Sequence, residues 1–301
     1  MYRNFRQILD KIKGRKPCVV SVAVAQDDVV LDALKRAYDL GFVKAVLVGD
    51  AGRIAPMLKT AGLPQDIPIV HEPDTQKAAE KAVALVRQGE AQVLMKGLVN
   101  TAVFMKAVLS SRNGLRSGKL LNTLVAFEIP GEDTLLFLTD PGLNTYPSLT
   151  EKKDILTNSI QFLQRIDIPH PNVALLASNE VVSPKLPATV DARSLVEMAS
   201  KGVFPPATIE GPLALDVIAR KEAASHKGIE SRVAGKTDLI LVPDIETGNA
   251  VVKALTSYAK ATAAAIVVGA THPIVMTSRS ETPEGKLCAL ALAQLAYTEQ
   301  G

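Results

Sequence analysis

The segment Thr277-Ser278-Arg279-Ser280-Glu281-Thr282-Pro283 concentrates chemistry-bearing side chains. It follows an apolar run, and Pro283 opens a helical pattern. A guanidinium and hydroxyls before a helix N-terminus suit a phosphate: the helix end offers free N–H groups and a positive dipole, and arginine can hold a phosphate through two bonds. The plainer reading is that Ser280 or Thr282 caps the helix and Arg279 is solvated.

Other apolar runs end in related ways. Met95 is followed by Lys96-Gly97-Leu98-Val99-Asn100-Thr101, where Lys96 could bring a positive charge to the same cleft or simply reach solvent. Leu138 is followed by Thr139-Asp140-Pro141-Gly142-Leu143-Asn144. Val242 is followed by Pro243-Asp244-Ile245-Glu246-Thr247-Gly248-Asn249. There Gly248 permits close backbone approach, and Thr247 and Asn249 can donate side-chain hydrogen bonds, or the triplet is an ordinary helix cap. Asp140 and Asp244 could orient ligands, but Asp-Pro and Pro-Asp also form turns.

Several familiar motifs fail. Gly235-Lys236-Thr237 has Glu230 where a phosphate-binding P-loop needs its first glycine, and no G-x-G-x-x-G or G-x-S-x-G occurs. His71-Glu72 lacks the second histidine of a zinc protease, and His71, His170, His226 and His272 are scattered without metal-ligand spacing. No metal site is expected.

The elements that must position these groups are short Val-, Ile- and Leu-rich runs. Strands are expected over 19–24, 45–48, 93–95, 123–127, 135–138, 173–177, 239–242, 265–268 and 274–276. Their unbroken apolar character suits a parallel sheet buried on both faces. Amphipathic helical patterns lie between them, including Val30/Leu34/Ala37/Tyr38 and a run opened by the capping-box pattern Ser148-x-x-Glu151. Alternating strands and helices mean an α/β fold, whose ligands bind past the carboxyl ends of the strands.

The 301 residues allow two domains, and 47% hydrophobic with 22% charged residues is ordinary for a globular chain. A net charge of +3 is too small to argue for nucleic acid or a membrane surface. Cys18 and Cys288 read as reduced core residues, and the start has neither a signal peptide nor a membrane span, so a cytoplasmic setting is expected. The polar run 110–114 is the nearest candidate for a domain boundary.

Met95-Lys96-Gly97-Leu98-Val99-Asn100-Thr101, Leu138-Thr139-Asp140, Asn144-Thr145-Tyr146-Pro147, Glu210-Gly211-Pro212-Leu213-Ala214-Leu215-Asp216, Glu246-Thr247-Gly248-Asn249 and Thr277-Ser278-Arg279 together resemble the phosphate acetyl/butyryltransferase family. The resemblance runs in order along nearly the whole chain. It implies two α/β domains with an interdomain cleft, like the isocitrate and isopropylmalate dehydrogenases. The first domain would be discontinuous, over 1–118 and 268–301, and the second would span 119–267. It implies reversible transfer of a short acyl group, butyryl or alternatively acetyl, between coenzyme A and inorganic phosphate in a ternary complex. No cofactor is implied beyond CoA as a substrate, and a homo-oligomer is expected.

In the related acetyltransferases a Ser-Arg pair binds and polarises the acyl phosphate, and a following aspartate acts as base. Ser278 and Arg279 match the pair. The ungapped count puts Gly285 at the aspartate, which leaves Glu284 and Glu281 as alternative bases. Lys106 stands where the family has a second arginine, keeping the charge without the fork. Lys96, Gly97, Asn100, Thr101, Asp140, Asn144, Asp244, Thr247, Gly248 and Asn249 are the further expected substrate-binding positions. A decarboxylating hydroxyacid dehydrogenase of the same fold is a competing reading, but it needs a carboxylate cluster for a metal that the sequence does not offer. A non-catalytic CoA- or phosphate-sensing module is a third.

Overall fold

The structure, a computed structural model, describes residues 2–278 and 281–297. The chain divides into two compact units: Phe5–Lys119 with Ala263–Gly301, and Met1–Asn4 with Leu120–Thr262.

The unit built from the two chain ends begins with α1 (Phe5–Ile12), β1 (Cys18–Ala23), α2 (Asp28–Asp39), β2 (Val43–Gly49), α3 (Ala51–Thr60), β3 (Ile69–His71), α4 (Thr75–Arg87), β4 (Val93–Lys96) and α5 (Thr101–Val108). The intervening unit holds β5 (Asn122–Glu128), β6 (Leu136–Thr139), α6 (Leu149–Arg165), β7 (Asn172–Leu176), α7 (Pro187–Ser200), β8 (Thr208–Leu213), α8 (Leu215–Ala219), α9 (Lys221–His226), β9 (Leu239–Leu241) and α10 (Ile245–Ser257). From the unit boundary the chain continues through β10 (Thr262–Val268), β11 (Ile274–Val275) and α11 (Pro283–Ala296).

Within the first of these units the strand order is β3-β2-β1-β4-β11-β10, parallel except for the β10–β11 pair. Within the other it is β5-β6-β9-β7-β8, parallel except for β5–β6. The uniformly parallel sheet read from the apolar runs is therefore a mixed one. The reason is connection length: a parallel crossover needs about a dozen residues or more. The links Ile129–Leu135 and Gly269–Pro273 are shorter, so each returns its strand antiparallel.

Each apolar run expected as a strand overlaps one, with Val24, Leu135, Ala177, Val242 and Met276 lying just outside. Two strands carried no such signal. β3 is brief and part-exposed, and β8 contains Gly211-Pro212, which reads as a turn. Both lie at a sheet edge, where a proline or a weak apolar pattern is tolerated.

The helices begin where short polar side chains cap them. Asp27 accepts from the N–H groups of Val29 and Val30, and Ser148 and Glu151 form a complete capping box on α6. α11 is largely apolar and is buried from Gly285 to Ala296, as expected of a helix enclosed by its own unit. It packs against α1, α2 and β11. Cys18 and Cys288 are buried free thiols. Among the described residues, no helix is long and apolar enough to cross a membrane.

Candidate active site

In the unit formed by the chain ends, β1, β4 and β11 are adjacent and parallel, so their carboxyl ends share one edge. Each leads into a helix N-terminus: Asp27 caps α2, Asn100 Oδ1 accepts from Ala102 N–H on α5, and Thr282 Oγ1 accepts from Gly285 N–H on α11. Convergent helix N-termini at strand carboxyl ends give a place for an anion.

The backbone at this edge is closely fitted. Val24, just past β1, is buried with φ 58°, a left-handed conformation unusual for a β-branched residue. The N–H groups of Gly97 and Leu98 donate to the carbonyls of Ala23 and Val24. A Cβ on Gly97 would stand 2.3 Å from the Val24 carbonyl oxygen. Gly97 is thus required by the neighbouring strand end itself. Lys96 is 5% exposed, so it does not simply reach solvent, and its Nζ donates to the Gly97 carbonyl at 3.5 Å.

Beyond β11, Thr277 is buried and Ser278 is exposed. Arg279 and Ser280 lie outside the described residues. The Ser278 carbonyl accepts from Glu281 N–H at 3.1 Å. Glu281 Oε1 accepts from Thr282 N–H at 3.1 Å.

Glu281 also fills the space over Gly285, since a Cβ there would lie 2.6 Å from Glu281 Oε1 and 2.5 Å from the Ala263 carbonyl. At the position where the sequence count places an aspartate, α11 thus has no room for a side chain, and the carboxylate of Glu281 occupies that space. Glu284 is placed differently. It is half-exposed and paired with Arg36 on α2 at 3.2 Å, and Arg36 also binds Asp32. Asp32 first, and Glu284 after it, hold the Arg36 guanidinium above its ordinary range.

Sequence reasoning passed over Lys286. It is 3% exposed, and its Nζ donates to Thr277 Oγ1 at 2.8 Å and to the Ser278 carbonyl at 3.2 Å. Burial pushes its ammonium below the usual lysine range, while Asp27 and Glu281 push it back up. A signal was present: Lys286 is the one charged residue in the sequence from Gly285 to Ala296.

Asn100 and Thr101 sit at the shared edge, where α5 begins. Lys106 does not. It lies in the last turn of α5 and lines a groove of about 850 Å³ with Glu80, Arg87 and Ser110.

The remaining expected residues belong to the intervening unit, at the carboxyl ends of the neighbouring strands β6 and β9. Asp140 is 2% exposed, and its carboxylate accepts from the N–H groups of Thr123, Gly142, Leu143 and Asn144 and from the Asn144 amide. Asn144 Nδ2 donates to the Leu121 carbonyl as well. Asp244 caps α10 by accepting from Thr247 N–H at 2.7 Å.

A Cβ on Gly248 would lie 2.8 Å from Pro141 Cα, so this glycine's close approach is to the Asp140-Pro141 loop. Ile245 N–H donates to the Thr145 carbonyl, which joins the two loops. Asn249 is exposed on α10. The Glu246 carboxylate holds the Tyr146 phenol above its ordinary range. Asp140, Asn144, Asp244 and Gly248 thus build the loop framework, and Thr247 and Asn249 are carried on it.

Loops and helix N-termini at strand carboxyl ends make each α/β unit suited to binding an anionic ligand. Residues 57–294 match the family described as phosphate acetyl/butaryl transferase, and the chain belongs to that family. The phosphate butyryltransferase of Clostridium acetobutylicum is 45% identical over 98% of each chain. The phosphate acetyltransferase of Rhizobium meliloti is 36% identical over 97% of this chain and 93% of its own. Among solved structures, a branched-chain phosphotransacylase from Enterococcus faecalis V583 aligns with a TM-score of 0.83 at 29% identity, covering 93% of this chain and 98% of that one.

Proposed function

We propose that the chain is an acyltransferase that moves a butyryl group reversibly between coenzyme A and inorganic phosphate. The observation that carries this reading is the exposed Ser278 before the N-terminus of α11, in a chain of this family. Butyryl is favoured over acetyl by the higher identity to the butyryltransferase, 45% against 36%.

In the direction of acyl phosphate formation, a phosphate oxygen attacks the thioester carbonyl carbon. A C–O bond forms, the C–S bond breaks, and CoA leaves with a proton. In reverse, the CoA thiol attacks the acyl phosphate, the C–O bond to phosphate breaks and phosphate departs. A thiol with a pKa of about 8.5 is mostly protonated at neutral pH, so a carboxylate base assists. Glu281 is assigned this role rather than Glu284, because its carboxylate lies over Gly285 beside the Ser278 segment while Glu284 is held by Arg36. Arg279 is assigned to the phosphoryl group and Ser278 to the developing oxyanion. Lys96 adds positive charge near the phosphate, and Asn100 and Thr101 flank it. Thr247 and Asn249 are assigned to CoA or acyl contacts. Transfer is direct, in a ternary complex, since both cysteines are buried and unsuited to carry the acyl group.

No cofactor beyond CoA as substrate is proposed. A homo-oligomer, a cytoplasmic setting and an isocitrate/isopropylmalate dehydrogenase-like class for the two α/β units complete the reading. The test is thiol release: butyryl-CoA with phosphate should yield free CoA, and Arg279→Ala should lower the rate by about a hundredfold or more. An unchanged rate in that variant would remove the assignment.

A further inference from the structure

α11 poses a physical question. Lys286 in its first turn is enclosed, and an apolar side chain at position 286 would suit the packing without desolvating an ion. A buried ammonium costs several kcal/mol unless partners offset it. Here the partners are specific. Two of the three N–H donors of Lys286 are spent on Thr277 Oγ1 and the Ser278 carbonyl. Asp27, the cap of α2, and Glu281 supply the opposing charge. The ammonium therefore ties the start of α11 to the segment that presents Ser278.

We infer that Lys286 is a positioning residue, whose ammonium holds the Thr277–Ser278 segment in place from behind and so fixes Ser278 for acyl transfer. This rests on the reading of Ser278 given above. Lys286 is buried beneath an exposed serine, so it acts through the segment and touches no substrate. One hydrogen bond holds the Ser278 carbonyl, and the other holds the Thr277 side chain just before it. Small displacements of such groups reduce turnover more than they reduce binding.

The experiment compares the unaltered chain with Lys286→Met, which keeps the length and apolar stem without the charge, and with Lys286→Ala. CoA release from butyryl-CoA is measured with and without phosphate, together with thermal unfolding. Lys286→Met should lower kcat by about thirtyfold or more, with KM for butyryl-CoA within about threefold and Tm unchanged or raised. Ethylammonium, but not ethanol, should restore part of the kcat of Lys286→Ala. A folded Lys286→Met with kcat within about threefold of the unaltered chain would overturn the inference.

So would a loss that merely tracks the unfolded fraction. Should Lys286→Met not fold, Lys286→Ala decides: rescue of kcat by ethylammonium supports the role, and folding without such rescue overturns it. An unaltered chain that releases no CoA with phosphate would instead refute the acyltransferase reading, which keeps the two failures distinct.

Discussion

Arg36 and Glu284, 248 positions apart in the chain, are joined by a 3.2 Å ion pair on the exposed side of α2 and α11. Glu284 lies near the Ser278 segment in sequence, yet its carboxylate is turned to an arginine that also binds Asp32. Glu281 is the carboxylate placed over Gly285. Accordingly, Glu284→Gln should keep kcat within about threefold, because an exposed pair contributes little. Glu281→Gln should lower kcat by about a hundredfold, the scale of general-base catalysis. Steady-state CoA release from both variants checks this, and the reverse order would make Glu284 the base.

Asp140 makes a stability prediction. Its carboxylate accepts from four backbone N–H groups and the Asn144 amide in a buried loop. Asp140→Ala leaves several of these donors without an acceptor, each costing about 1–3 kcal/mol. Urea unfolding should show a loss of about 3 kcal/mol or more. A loss below about 0.5 kcal/mol would mean the loop does not depend on this carboxylate.

Gly248 tests the joint between the loops after β6 and β9. An added methyl meets Pro141 Cα at 2.8 Å and Val242 Cγ2 at 2.9 Å. Gly248→Ala should destabilise by about 1–3 kcal/mol through overpacking. If the glycine served mainly to admit a ligand's backbone approach, stability would hold and KM alone would rise.

The thiols give a prediction in pH. Burial pushes Cys18 up to about 12, with a backbone hydrogen bond opposing it. The reactive species is the thiolate, which forms only as pH rises through that value. Native protein should therefore show almost no reaction of Cys18 with an aromatic disulfide reagent at pH 8, and fast reaction in guanidinium chloride. Rapid native labelling of Cys18 would contradict its enclosure.

Local patterns in the sequence identified much of this. The Val-rich runs, the Thr282 cap with Pro283 after it, and the Ser148–Glu151 capping box are set by neighbours in the chain, and they form as read. Long-range relations were not legible. Nothing near Glu284 announces Arg36, and Asp140 beside Pro141 reads equally as a ligand or a turn until Thr123 is seen donating to it. β3 and β8 escaped because edge strands need neither length nor a clean apolar pattern. Lys286 was the missed opportunity, since a lone charge in an apolar helix is visible in the sequence even though its partners are not.

The reaction proposed for this chain is exchange of CoA for phosphate on a short acyl group. The most direct measurement is the initial rate of thiol release from butyryl-CoA, with acetyl-CoA in parallel, each with and without phosphate. CoA release should require phosphate, saturate with it, and show a higher kcat/KM for butyryl-CoA. Release independent of phosphate, or none with either thioester, would contradict it.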